Sequence, residues 1–192
     1  MTYQSFFQNN SELAASILNF SDINYLLPLM YTEIRMHSTT YGLENVLELG
    51  VRTGESTVAL YSAVSEVNRD LKLKATLTSV DIDPTCESVV SNKLKNINTK
   101  CEWNFYAKDS REFPWQKPID FLLIDSSHEE EQTLEELKKY SPFVKSSGTI
   151  WLHDTRSTVE VPNAIKRWRS ENKNWKYYET PTYAGLGWLT RK

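Results

Sequence analysis

Four residues late in the chain could share one piece of chemistry: Asp125 and His128 in Ile124-Asp125-Ser126-Ser127-His128, and His153 and Asp154 in Trp151-Leu152-His153-Asp154-Thr155. The chain has only three histidines, and two of them fall here. Carboxylates and imidazoles at the ends of neighbouring strands, about 4.8 Å apart, can act in two ways. They can hold a divalent ion that fixes a substrate oxygen and lowers its pKa, or a free imidazole can remove a hydroxyl proton as general base. The roles can coexist, with Asp125, His153 and Asp154 on the metal and His128 as base. The structural alternatives are a His153–Asp154 pair that merely shapes a pocket and a His128 bonded to its own loop. The run Glu129-Glu130-Glu131 needs no function, because anions stabilise a helix N-terminus.

A second group lies earlier, in Glu48-Leu49-Gly50-Val51-Arg52-Thr53-Gly54-Glu55. Gly50 and Gly54 let the backbone turn tightly and let a ligand lie against it. A dinucleotide site would need G-x-G-x-x-G, and Arg52 and Glu55 occupy its second and third glycine positions. That argues against a nicotinamide oxidoreductase. A nucleoside without phosphates fits better: Asp81, in Ser79-Val80-Asp81-Ile82-Asp83, can accept both ribose hydroxyls in a bidentate arrangement, and Asp109-Ser110 is placed for an adenine.

These residues need a scaffold that brings them to one edge. From Asn45 onward, short apolar runs at Val46–Gly50, Ala75–Asp81, Cys101–Tyr106, Ile119–Asp125 and Thr149–His153 read as strands. Amphipathic stretches between them read as helices, with stripes at Leu60, Val64 and Val67 and at Val161, Ala164, Ile165 and Trp168, and with Pro162 tolerated in a first turn. Alternation of this kind predicts an α/β fold, doubly wound, with a mostly parallel sheet covered on both faces. Trp175–Glu179 and Leu186–Thr190 follow as a C-terminal antiparallel hairpin. In such sheets ligands bind at the C-terminal strand ends, near the point where strand order reverses. Residues 1–44 read as helical, with apolar clusters at Leu13/Ile17 and Tyr25/Leu26/Met30 and capping candidates at Ser11 and Ser21.

The composition narrows the ligand class. In 192 residues, 22 Lys+Arg face 25 Asp+Glu for a net charge of −3, and 40% are hydrophobic, enough for one globular domain. Proteins that coat nucleic acid or anionic membranes carry a basic surplus, so small molecules are the expected ligands. The stretch Arg156 to Lys176 is basic, with Trp168 and Trp175 interleaved. Such interleaving can serve a nucleic acid, but Trp168 lies on an apolar stripe and the charges read as a solvated face. Cys86 and Cys101 form no Cys-x-x-Cys, and the first basic residue is Arg35, so no disulfide framework and no secretory signal are expected. The apolar stretch Ile23–Met30 is too short to span a bilayer, and a cytoplasmic protein is the expectation.

Taken together, Glu48–Gly54, Val80–Asp83 and Asp109-Ser110 resemble the first three motifs of class I S-adenosylmethionine-dependent methyltransferases. The layout of residues 45–192 is similar to their Rossmann-like seven-stranded sheet with its terminal hairpin. The resemblance implies S-adenosylmethionine as cofactor, with Glu48 and Gly50 at its methionine end, Asp81 at the ribose, and Asp109 and Ser110 at the adenine. Arg52 at the middle glycine is a departure. The second half resembles the metal-dependent small-molecule O-methyltransferases. In their catechol type an Asp after the fourth strand and an Asp-Asn pair after the fifth hold magnesium, and a Lys serves as base. Here Asp125 matches the first ligand, His153-Asp154 stand at the pair and His128 at the Lys. The D-x-x-H plus H-D-T pattern is closer to a small bacterial and phage family grouped with cephalosporin-hydroxylase-like and sugar O-methyltransferase proteins. A histidine ligand would shift preference from magnesium towards manganese, iron or zinc.

The implied activity is O-methylation of a small-molecule or sugar hydroxyl, metal-assisted or not, with a non-catalytic nucleoside-binding module or a nucleic-acid methyltransferase as alternatives. Residues 1–44 are expected to form a helical lid, a substrate segment or a homodimer contact beside the methyltransferase domain of residues 45–192.

Overall fold

The structure, a computed structural model, describes Ile23 and residues 26–192. Helix α1 (Leu27–Tyr41) leads into β1 (Asn45–Leu49), α2 (Glu55–Leu71), β2 (Thr76–Asp81), α3 (Thr85–Leu94) and β3 (Glu102–Ala107). After these come β4 (Ile119–Ile124), α4 (Glu130–Tyr140), β5 (Val144–His153), α5 (Glu160–Glu171), β6 (Trp175–Glu179) and β7 (Leu186–Arg191). The seven strands lie in the order β3-β2-β1-β4-β5-β7-β6. The first five run parallel, and β7 pairs antiparallel with both β5 and β6, closing the sheet with the hairpin read from the sequence.

Strand parity sorts the core into two halves. Val46, Leu77, Phe121, Leu123 and Trp151 pack on one face beneath α1, α2 and α3. Their sequence neighbours Leu47, Leu122, Ile124, Ile150 and Leu152 pack on the other, beneath α4 and α5. Because both faces are covered, β4 is buried at all six positions and shows no polar-out alternation. The strip of five residues Val144–Gly148 extends β5 beyond the expected start at Thr149. Lys145, Ser146 and Ser147 hide that extension from an apolar-run reading, and a register shift between Ile119 and Phe121 accommodates it.

Helix α1 belongs to the core. Leu27, Met30, Tyr31 and Ile34 are buried against α2, and Tyr31 and Arg35 both bond Glu66, with Arg35 reaching Asp70 at 3.1 Å. Of the features read in residues 1–44, Ser11, Leu13, Ile17, Ser21 and Tyr25 lie outside the described residues. Cys86 and Cys101 are free thiols. No helix among the described residues is long and apolar enough to cross a membrane.

The chain reverses its direction of strand addition between β1 and β4: β2 and β3 were added on one side of β1, and β4 and β5 on the other. The loops after these central strands diverge there and leave an opening at their C-terminal ends.

Candidate active site

The turn after β1 is pinned from both sides. Gly50 N–H donates to Val80 O at 2.9 Å, and Asp125 N–H donates to Leu49 O at 2.8 Å. Gly50 has φ +91°, and a Cβ there would stand 2.0 Å from Asp125 O, so neither the conformation nor the space admits another residue. Arg52 adopts the left-handed φ of +51° without being glycine. The Asp81 carboxylate holds it there by accepting from Val51 N–H at 2.7 Å and Arg52 N–H at 3.0 Å.

Beside this turn opens a cavity of about 460 Å³, a size suited to a cofactor or drug-sized ligand. Its walls include Gly50, Asp81, Asp109, Ser110, Asp125, His128, His153 and Asp154, eight residues singled out from the sequence. Ile23 also lines it.

Glu48 and Gly54, both expected at the cofactor, are not among its lining residues. Glu48 is fully buried, shares the face of Val46, and points towards α2. There it accepts from Ser56 Oγ (2.6 Å), Thr57 Oγ1 (2.8 Å) and Ser79 Oγ (2.6 Å). Burial pushes its pKa up to about 7, against the pull of the three hydroxyls. It braces the turn from below and has no free face for a cofactor. Gly54, at φ +83°, starts α2; a Cβ there would meet Val90 Cγ2 at 2.4 Å, so its glycine serves close packing of α2 on α3. The Asp81 carboxylate, expected at the ribose, is largely engaged by backbone. Both its oxygens already accept amide hydrogens, Oδ1 from Asp83 at 2.9 Å, which leaves about one of four lone-pair positions.

At the other end of the cavity the four residues of the leading sequence signal converge. His128 Nε2 lies 3.0 Å from Asp125 Oδ1 and 3.2 Å from Asp154 Oδ2, and His153 Nδ1 lies 3.1 Å from each of the same oxygens. Nitrogen and oxygen therefore alternate around a closed ring, with all four atoms within 4.8 Å of one another. Edges of that length are what bonds of about 2.1–2.2 Å at right angles would span, so the donor set fits a divalent cation in both spacing and chemistry. The sequence reading separated three ligands from one base; the structure brings His128 Nε2 to the same centre. His128 (φ +60°) and Asp154 (φ +58°) both hold left-handed backbone to reach it.

Burial works against a charged His153, yet its bonds to Asp125 and Asp154 outweigh that and carry its pKa up to about 10. Burial likewise opposes ionised Asp154, but His153 and Ser157 bring its pKa down to about 2. Asp125 is held below the usual carboxylate range by both imidazoles, again against burial. Both carboxylates are thus held ionised beside the imidazoles, and His153 Nε2 is buried without a partner.

Between the two ends, a buried network missed in the sequence shapes the wall. Glu136, with no exposed surface, accepts from Ser110 Oγ, from Ser126 Oγ at 2.9 Å and from Gln132 Nε2 at 3.3 Å. Ser110, Ser126 and Gln132 all line the cavity. The signal was the i, i+4 spacing of Gln132 and Glu136, obscured by the surrounding charged residues of α4. Asp109 is occupied differently from the adenine role: Arg111 Nε and Nη2 grip its two oxygens at 3.0 and 2.6 Å.

A family model described as a methyltransferase domain matches residues 47–155. No curated protein matches the chain. Among solved structures, the chain is similar to an S-adenosylhomocysteine-bound methyltransferase from Podospora anserina, PaMTH1, at 14% identity over 95% of this chain and 86% of that one, with a TM-score of 0.67. It is similar to an O-methyltransferase from Bacillus cereus in complex with S-adenosylhomocysteine, at 17% identity over 98% and 90% of the two chains, TM-score 0.64. It also resembles an rRNA methylase from Streptococcus thermophilus, at 11% identity over 91% and 98%, TM-score 0.63. At these identities the likeness is one of fold. The family match spans β1 to the end of β5, and so takes in every cavity-lining residue except Ile23; on that match the chain belongs to the methyltransferase-domain family.

Proposed function

We propose that the protein is an S-adenosylmethionine-dependent O-methyltransferase acting on a hydroxyl of a small molecule or sugar, with a divalent cation held by Asp125, His153 and Asp154. The observation that carries this reading is the four-donor ring at one end of a cavity whose other end is a carboxylate-pinned glycine turn. The cofactor would lie between them, its methionine end along Gly50 and Val51 and its ribose at Asp81, where the remaining lone pair suits one hydroxyl. Asp83 stands next to Asp81 on the wall as a second carboxylate. Ser110 and Gln132, fixed by Glu136, would face the adenine.

In the reaction the acceptor oxygen attacks the methyl carbon, the carbon–sulfur bond breaks, and its electron pair returns to sulfur, leaving neutral S-adenosylhomocysteine. The protein's work is to align that oxygen with the methyl group and to take its proton. A cation bound in the ring would supply a fixed point for the acceptor oxygen and lower its pKa. His128 is the member suited to move: its side chain is 30% exposed against 2% for His153. Swung out of the ring, its Nε2 can receive the hydroxyl proton.

Titration calorimetry with S-adenosylhomocysteine, with and without manganese, tests the reading. Binding is expected in both conditions, and manganese affinity should vanish in His153→Ala while surviving in His128→Ala. Absence of S-adenosylhomocysteine binding at millimolar ligand would remove the cofactor assignment, and equal loss of manganese in both variants would make His128 a ligand and leave the base unassigned.

A further inference from the structure

The basic stretch noted in the sequence does not belong to the cavity described above, and its structure gives it a shape. A groove enclosing about 690 Å³ runs between α5 and the edge strand β6, lined by Lys166, Arg169 and Lys173 along one side and by Trp175, Tyr177 and Glu179 along the other. Thr155, the residue after Asp154, is among its lining residues, so the groove adjoins the segment that carries the ring.

The charge in this groove is one-sided. Nearby cations are paired, Arg167 with Glu130 and Glu131 and Arg156 with Glu179. Among the described residues, Lys166, Arg169 and Lys173 make no such pair. The groove's one acidic side chain, Glu179, is engaged by Arg156 and by Tyr177 Oη at 3.0 Å. Arg169 lies over the Tyr177 ring at 5.7 Å, and its Nε is buried with no hydrogen-bond acceptor. A buried guanidinium N–H left unsatisfied costs stability unless something supplies an acceptor. Lys166 and Lys173 flank it, Lys166 within α5 and Lys173 two residues past its end, so the row runs beyond one helical turn of about 5.4 Å.

We propose that this groove is an anion subsite that takes the phosphate groups of the acceptor, a phosphorylated small molecule whose hydroxyl end reaches the active site past Thr155; the proposal rests on the methyltransferase reading above. Guanidinium and ammonium groups in a row are the side chains that recognise phosphate. The row is longer than a monophosphate needs, which favours a diphosphate. A single-stranded nucleic acid fits less well, because Trp168 and Trp175, the two indoles interleaved with these cations, are 1% and 3% exposed and offer no face for base stacking.

Inorganic pyrophosphate, titrated into the full chain at low salt without divalent metal, tests the subsite apart from catalysis. One saturating site is expected, weakened at least about tenfold in the double variant Lys166→Glu/Lys173→Glu, whose S-adenosylhomocysteine affinity stays unchanged. No saturation by about 10 mM, or equal binding by the variant, overturns the proposal. Tighter binding of an oligouridylate of about 20 nucleotides, with a steep salt dependence lost in the same variant, would also overturn it and make the groove a nucleic-acid surface. If pyrophosphate binds but S-adenosylhomocysteine does not, the groove stands and the cofactor reading fails.

Discussion

Two polar clusters on the adjacent strands β1 and β4 treat a carboxylate in opposite ways. Under the glycine turn, Glu48 is surrounded by three neutral hydroxyls, and burial raises its pKa to about 7. At the end of the adjacent strand, Asp125 is flanked by two imidazoles and is held ionised. Hydroxyls can bond either form of a carboxyl group, whereas an imidazolium rewards only the anion. The first cluster therefore gives a brace that tolerates neutrality, and the second gives separated charges whose donors all aim at one point. Burial is common to both carboxylates; the charge of their partners is what separates them.

The most severe way to break this contrast is His153→Ala. It strips a buried counter-charge from Asp125 and Asp154, and denaturant titration should show a loss of about 3–5 kcal/mol together with loss of manganese binding. His128→Ala should instead lower turnover by about 10²–10⁴-fold with S-adenosylhomocysteine affinity intact. Equal losses of stability in the two histidine variants would show that the ring is a structural brace like the Glu48 cluster.

Glu48 should reveal itself through pH. Its folded pKa lies above the ordinary 4.5, so the folded protein retains a proton that the unfolded chain releases. The stability this adds is full below pH 4.5 and is lost as pH rises towards 7, by about 3 kcal/mol. In Glu48→Gln that slope should flatten, measured by urea titrations at pH 5 and 8. The smallest effect is expected at Glu136→Gln: a few-fold weaker S-adenosylhomocysteine binding with kcat little changed, because the residue positions Ser110, Ser126 and Gln132 and touches no reacting atom.

Much of the scaffold was legible in the sequence because strands buried on both faces must be continuous apolar runs, as Ile119–Ile124 shows. The ring was legible because its four members cluster at two strand ends in a chain with three histidines. What escaped depended on direction. A motif places Glu48 beside the glycine turn but does not say which way its side chain points; the clue was Ser56-Thr57 at the start of the next helix, two hydroxyls in need of an acceptor. Asp109 could be placed at a strand end from sequence, but its capture by Arg111 two residues later depends on the local turn. Glu136 was hidden because a buried glutamate among charged helix residues reads like any solvated one.

The left-handed backbone at His128 and Asp154 bears on how this protein would respond to artificial selection. Glycine at either position would relax the chain while deleting a donor from the ring. At Asp154 the strain relieved, about 1–3 kcal/mol, is less than the roughly 3–5 kcal/mol expected for stripping the buried partner from His153, so a library screened for heat resistance alone should keep the aspartate and admit glycine only at the more exposed His128.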